Sequence, residues 1–202
     1  MNISILYGGA STEHKISIQT GLAIAEAIKD RYSLDMINLD SEIYNAPQLL
    51  VGSDLVFNAL HGGDGEDGSI QSFLDLHHIP YTGSGAKPCK IAMDKNITKL
   101  IAKSVDIQTP NWILLKRNQH TGMQLHDNQP SKFSYPYVVK PSCEGSTFGL
   151  TIVKEESELE EAISHASEYG GEILIEEFIP GRELTVGILG NKPLPIVEIK
   201  PS

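Results

Sequence analysis

Over its first 85 residues the chain alternates strand and helix signals, and that rhythm commits it to an open parallel sheet covered by helices. NISILYG reads as a buried strand, ISIQTGLAIAEAI as a helix, SLDMINLD and LVFNAL as strands, and SIQSFLDLHH as a second helix. In the first helix Ile16, Leu22, Ala23 and Ala27 recur near helical spacing. The segment Asp54 to Leu60 is short and bounded by Gly52 and Gly62, as a buried strand should be.

After GSGAKP the character changes, which places a domain boundary near Gly85. CKIAMDKNITKLIAKS reads as one helix, WILL as a strand, and residues 117 to 134 as a polar, irregular insert. From Tyr137 onward the signals are YVVK, GLTIV, a Glu-rich helix from Ser157 to Ser167, EILIEEF, ELTVGIL and LPIVEI. Such a strand-rich run predicts an antiparallel sheet backed by helices.

A length of 202 residues leaves room for one large core or two modest domains. Sixteen Lys and Arg against 26 Asp and Glu give a net charge of -10, and no basic block offers a face to nucleic acid. Cys89 and Cys143 lack metal-ligand spacing, and MNISILYGG lacks the regions of a signal peptide. A soluble protein of a reducing cytoplasm is the expectation. No apolar run approaches the roughly 20 residues that cross a bilayer, so no membrane-spanning helix is expected.

Four loops hold the residues able to do chemistry. In HGGDGEDG, Gly63, Gly65 and Gly68 satisfy G-x-G-x-x-G between a strand and a helix. Asp64, Glu66 and Asp67 would face a pyrophosphate with three like charges, however, and no acid follows at the spacing that holds a ribose. The EF-hand pattern is absent too. A glycine turn into a helix whose start favours acids explains all of this loop except His61. In YGGASTEHKIS, Ser11 or Thr12 can cap the next helix, the G-K-[ST] ending of a phosphate loop is missing, and Glu13 reads equally as a dipole partner or as a carboxylate at the sheet edge where ligands bind.

The hairpin VVKPSCEGSTFGLTIV places Lys140 inside an apolar strand, where an ammonium needs a negative partner. Its EGST segment has the glycine and hydroxyls to fold over a polyphosphate. Lys95, in AMDKNITK, is ambiguous by itself because helix lysines are usually solvated. In ILIEEFIPGRELTVGIL, Glu176 and Glu177 end an apolar strand before a Pro-Gly turn, an arrangement that exposes backbone groups to the edge of a planar base.

Taken together, YGGASTEHKIS, ALHGGDGEDGSIQSFLDLHHIPYTGSG, AMDK, VVKPSCEGSTFG, EEFIPGRELTVGIL and LPIVEIKPS resemble the D-alanine–D-alanine ligases of the ATP-grasp superfamily, in order and over essentially the whole chain. The resemblance implies an α/β fold: an N-terminal three-layer domain with a parallel sheet (1–85), then a central ATP-grasp unit (86–179) and the start of a C-terminal one (180–202), built on antiparallel sheets. It implies ATP-dependent joining of two D-alanines through an acyl phosphate, for peptidoglycan synthesis. By the same resemblance Lys95 and Lys140 contact ATP phosphates, and Glu144, Gly145, Ser146 and Thr147 close over them. Glu176 lies by the adenine amino group, the backbone of Glu177 and Ile179 reads the base edge, and Glu183 holds the ribose. Glu13, supported by Ser146, pairs with the ammonium of the first D-alanine, and His61 sits near the reacting amino acids. The acids of HGGDGEDG are left as helix-start residues, away from any nucleotide.

The departure from the family pattern is at the C-terminus. Relatives continue for about the size of another small domain, and that part holds the magnesium ligands, so the chain alone is expected to bind ATP weakly and not to turn over. Three further readings share these residues: a non-catalytic binding or interaction module, half of a split ligase, and a ligase using D-lactate as acceptor. Homodimerisation through the N-terminal domain is what the family implies about partners.

Overall fold

The computed structural model describes residues 1–39, 50–118, 122–125 and 134–200. The first unit is a parallel sheet of β1 (Asn2–Tyr7), β2 (Ser33–Asn38) and β3 (Leu55–Asn58) in the order β2-β1-β3. α1 (His14–Ile28) covers one face and α2 (Ser69–Leu76) the other. Central β1 is buried on both faces, as a parallel strand between helices must be. Ile3 and Ile5 pack toward Ile24, Ala25 and Ile28 of α1. Leu6 joins Val56, Leu60, Ile70, Phe73 and Leu74 beside α2.

α1 does not bury the apolar stripe that hydrophobicity suggests. Ile16 and Leu22 are 48% and 54% exposed, whereas Ser17 and Gly21 are buried. The reason is proximity: a Cβ on Gly21 would lie 2.6 Å from Cβ of Tyr7, so only a bare backbone fits against β1. Ser17 is satisfied inside the core, accepting from the Gly8 N–H (2.9 Å) and donating to the Ala59 carbonyl (2.8 Å).

The segment read as one helix after Gly85 is two. α3 (Ala86–Met93) and α4 (Lys95–Ser104) are separated at Asp94, whose extended backbone (ψ 101°) ends one helix and whose carboxylate caps the next by accepting from the Ile97 N–H at 3.1 Å. The second unit is a five-stranded antiparallel sheet in the order β5-β4-β8-β6-β7, made of β4 (Trp112–Asn118), β5 (Gly122–Leu125), β6 (Tyr137–Pro141), β7 (Thr151–Val153) and β8 (Ile173–Glu177). The expected irregular insert therefore contains a strand, β5, paired with β4 from Leu115↔Leu125 to Asn118↔Gly122; residues 119–121 and 126–133 lie outside the described residues. α5 (Leu159–Ser167) lies over one face, sealing Val139, Val153, Ile173 and Ile175. The opposite face carries Trp112, Leu114 and Leu174 and, on the same side by the alternation of strand residues, Lys140 and Glu176.

β9 (Glu183–Thr185) pairs with β12 (Val197–Ile199), and β10 (Ile188–Leu189) with β11 (Lys192–Pro193). All four strands are exposed. No helix among the described residues is long and apolar enough to cross a membrane.

Candidate active site

Glu13 stands at the N-terminus of α1, just beyond the C-terminal edge of β1, the edge where open α/β sheets bind ligands. Its carboxylate Oε1 accepts a 2.6 Å hydrogen bond from Ser146 Oγ, 133 residues away in the loop between β6 and β7. The contact closes the second unit onto the first. Ser146 adopts φ 51°, a left-handed backbone that a non-glycine residue rarely takes, and such strain gathers at ligand clamps. The other carboxylate oxygen is held in a slot with a glycine on each side: a Cβ on Gly62 would be 2.8 Å from Oε2 and one on Gly145 3.0 Å.

His61 follows β3 by a few residues, and the Ser11 hydroxyl donates to its carbonyl at 2.5 Å. Its ring is fixed by Thr20 Oγ1 of α1 at 2.9 Å from Nε2, and Glu66 Oε1 lies 3.8 Å from Nδ1. The glycine-rich loop is firmly held, because the Gly65 carbonyl accepts from Asn58 Nδ2 (2.9 Å) and from Gln71 Nε2 (2.8 Å). Of its three acids, Asp67 behaves as a helix-start residue, accepting from the Ser69 N–H at 2.8 Å. Glu66 instead turns toward His61, because the short turn Gly63–Gly65 brings the chain back beside that ring.

A cleft of about 810 Å³ runs between the two units, lined by Asn58, Glu66, Lys95, Glu144, Gly145 and Ser146 among others. Lys95 opens α4 and donates to the carbonyls of Ser142 (3.3 Å) and Glu144, so the loop's own backbone aims the ammonium. Burial, reinforced by the charge of Lys140, pushes the Lys95 ammonium below the usual lysine range. Thr147 is exposed in the same loop.

Lys140 has a partner inside the chain. Its ammonium pairs with Glu176 Oε1, while Lys99, one turn beyond Lys95 on α4, donates to Oε2 at 2.7 Å. Glu176 is 6% exposed. Burial alone would raise its pKa, but Lys140 and Lys99 outweigh it and hold the carboxyl below the ordinary range. Lys99 itself is pushed down by burial, with Glu176 acting against that. Sequence reasoning missed Lys99; its one signal is the i, i+4 spacing from Lys95, which sets both on one helix face.

Past β8, Glu177 accepts from the Asn111 N–H (3.0 Å) and side-chain amide (3.1 Å), and these bonds lower its pKa. With Ile179 it borders a groove of about 560 Å³ shared with Lys103, Ile107, Thr109 and Pro110. Glu183 lies exposed on β9 opposite Ile199, outside the linings of both cleft and groove. Among the described residues, no group of three His, Cys, Asp or Glu is placed to hold a metal ion.

Two family models match the chain: the D-ala D-ala ligase N-terminus over residues 40–84 and the D-ala D-ala ligase C-terminus over residues 101–201. The D-alanine–D-alanine ligase of Syntrophotalea carbinolica is 41% identical over 200 residues, covering 98% of this chain and 63% of the relative. The crystal structure of the Bacillus anthracis D-alanine–D-alanine ligase matches with a TM-score of 0.89 at 36% identity, covering 99% of this chain and 64% of the other. The same enzyme complexed with ATP matches with a TM-score of 0.87, covering 100% and 67%. This chain thus spans about two thirds of the length of those relatives, and over that span it belongs to the D-alanine–D-alanine ligase family.

Proposed function

We propose that this chain supplies the amino-acid pocket and the nucleotide grip of a cytoplasmic, ATP-dependent D-alanine–D-alanine ligase, in three units spanning 1–85, 86–179 and 180–202. The observation that carries this reading is the Ser146–Glu13 hydrogen bond, which draws a glycine- and hydroxyl-bearing loop over a carboxylate at the sheet edge, beside a cleft lined by Lys95. A carboxylate there suits the ammonium of a first D-alanine, and lysines beside it suit phosphate oxygens.

In that reaction the γ-phosphoryl group passes from ATP to the carboxylate of the first D-alanine, and ADP leaves. The amine of the second D-alanine then attacks the acyl carbon; the C–N bond forms, the carbon–oxygen bond to phosphate breaks, and the amine gives up a proton. Both steps gather negative charge on oxygen, so fixed positive charge is the protein's main contribution. Lys95 and Lys140 neutralise the phosphates under the loop Glu144–Thr147. Glu176, Glu177 and Ile179 border the base, and Glu183, which lies on β9 outside the linings of groove and cleft, would have to reach in from there to hold the ribose. Glu13 with Ser146 orients the first amino acid, and His61, held by Thr20, orients the acceptor amine. Among the described residues no three His, Cys, Asp or Glu side chains gather to hold a magnesium ion, and no step here runs through one.

Saturation-transfer NMR at millimolar ligand, which registers weak binding, tests the assignment. Lys140→Ala should weaken ATP binding far more than D-alanine binding, and Glu13→Ala should do the reverse. Equal effects of each substitution on both ligands would overturn the roles, and silence from ATP on the unsubstituted chain would overturn the nucleotide grip.

A further inference from the structure

We propose that Lys99 is a positioning residue for nucleotide binding: it is the permanent counterion of Glu176, and its presence frees Lys140 to leave that carboxylate for a phosphate. The inference rests on the nucleotide reading above.

Both oxygens of the buried Glu176 carboxylate are taken, Oε2 by Lys99 and Oε1 by Lys140. The two lysines are not equivalent. The Lys99 side chain is 9% exposed, is fastened by Thr109 Oγ1 at 2.8 Å, and lies 5.1 Å from the centre of the Trp112 ring. Lys140, at 21%, is the more open of the pair and sits on the strand that runs into the Glu144–Thr147 loop.

A buried carboxylate stripped of its counterion is costly, so a Glu176 paired with Lys140 alone would hold that lysine back from any incoming phosphate. A second ammonium, fixed in the interior, removes this conflict: Glu176 stays compensated while Lys140 swings away. The charges facing Glu176 fit that exchange. Lys95 and Lys99 approach from α4 and Lys140 from β6, with Lys103 beyond Lys99 and Glu177 next along β8. Two ammoniums bond one buried carboxylate and a third, Lys95, is near enough to feel its charge, a surplus that an anion would relieve. Lys99 is too enclosed and too fully engaged to be the phosphate ligand itself.

The test is ATP affinity by calorimetry for the unsubstituted chain, Lys99→Met, Lys99→Arg, Glu176→Gln, and Lys99→Met with Glu176→Gln. Lys99→Met should weaken binding roughly tenfold or more, a modest consequence of removing one partner from a buried pair. Lys99→Arg, which keeps the charge, should recover most of the loss. The double variant should bind more tightly than Lys99→Met alone, because a neutral amide no longer holds Lys140; a lysine serving only the packing would leave the double variant as weak or weaker. Where Lys99→Met does not melt cooperatively, comparison of the double variant with Glu176→Gln carries the test: without the carboxylate Lys99 has no charge to compensate, so the two should bind ATP equally, and a weaker double variant overturns the proposal. ATP binding that Lys99→Met leaves intact, or a double variant no better than Lys99→Met, also overturns this proposal alone. No ATP binding by the unsubstituted chain overturns the nucleotide reading and this inference with it.

Discussion

Glu176 makes the stability of the second unit depend on acid. Its carboxyl titrates below the ordinary glutamate value of about 4.3, because Lys140 and Lys99 overcome the effect of burial. Between that value and the lower folded one, the unfolded chain binds more protons than the folded chain, so stability rises with pH across the window and is lost as pH falls through it. Urea midpoints measured from about pH 6 to about pH 3 should therefore fall more steeply for the parent than for Glu176→Gln; parallel curves would contradict the ion-pair account. Gly62 offers a second test. At φ 63° and with a Cβ reaching 2.8 Å from Glu13 Oε2, Gly62→Ala should cost roughly 1–3 kcal/mol in strain and displace the carboxylate from Ser146. Recovery of D-alanine binding at the parental level in that variant would show that the slot is not needed. Glu13, His61 and Ser146 sit in loops whose composition is unusual for a simple turn, but their roles came from the resemblance to the ligase family. Lys99 could not be named from sequence, since a lysine on a helix has no local mark, and its partner lies 77 residues away on a strand whose register only the folded sheet sets.

Among the elements, the strands of both sheets except β5 were legible, because apolar residues run between glycine and proline boundaries, whereas β5 lies in the polar stretch read as an irregular insert. The helices were less so, for two physical reasons. The first half of α1 faces the sheet with Ser17 and Gly21 and only the second half with Ile24, Ala25 and Ile28, and hydrophobicity cannot report a face chosen for closeness and for hydrogen bonding to β-strand ends. The α3–α4 break depends on Asp94, which in sequence looks like any helix-surface acid but caps α4 and also accepts from Ser142 Oγ at 3.2 Å. Asp94→Ala should cost about 0.5–2 kcal/mol of stability as a lost cap. It should also weaken ATP binding, because the residue it sets at the helix start is Lys95, whose N–H and ammonium are both tied to the β6–β7 loop. A melting curve shifted with ATP affinity unchanged would separate the cap from the lysine's placement.

At the scale of the whole molecule the described residues divide into two sheets with buried cores and a distal stretch, 183–199, that is exposed throughout. In the five-stranded sheet, Ile173 and Leu174 are wholly buried and Ile175 nearly so, each worth about 1.5–3 kcal/mol in transfer free energy, and β8 is hydrogen-bonded on both sides by β4 and β6. Across residues 183–199, by contrast, Leu184, Ile188, Leu189, Leu194, Ile196 and Val197 are between 46% and 73% exposed, on strands of two or three residues or in the turns between them. Two-stranded pieces of that length, lacking a buried face, hold little stability of their own. Hydrogen exchange should show the contrast directly, with amides of β6 and β8 opening only at the global unfolding free energy and those of β9 to β12 exchanging nearly as fast as an unprotected chain. The same exposed residues make an apolar surface with open strand edges, so light scattering should show self-association that grows with protein concentration and is relieved by substituting Ile188 and Leu189 with lysine. A monodisperse chain whose β9 to β12 amides are protected as well as those of β8 would mean that this stretch gains stability from contacts other than those of its own two short sheets.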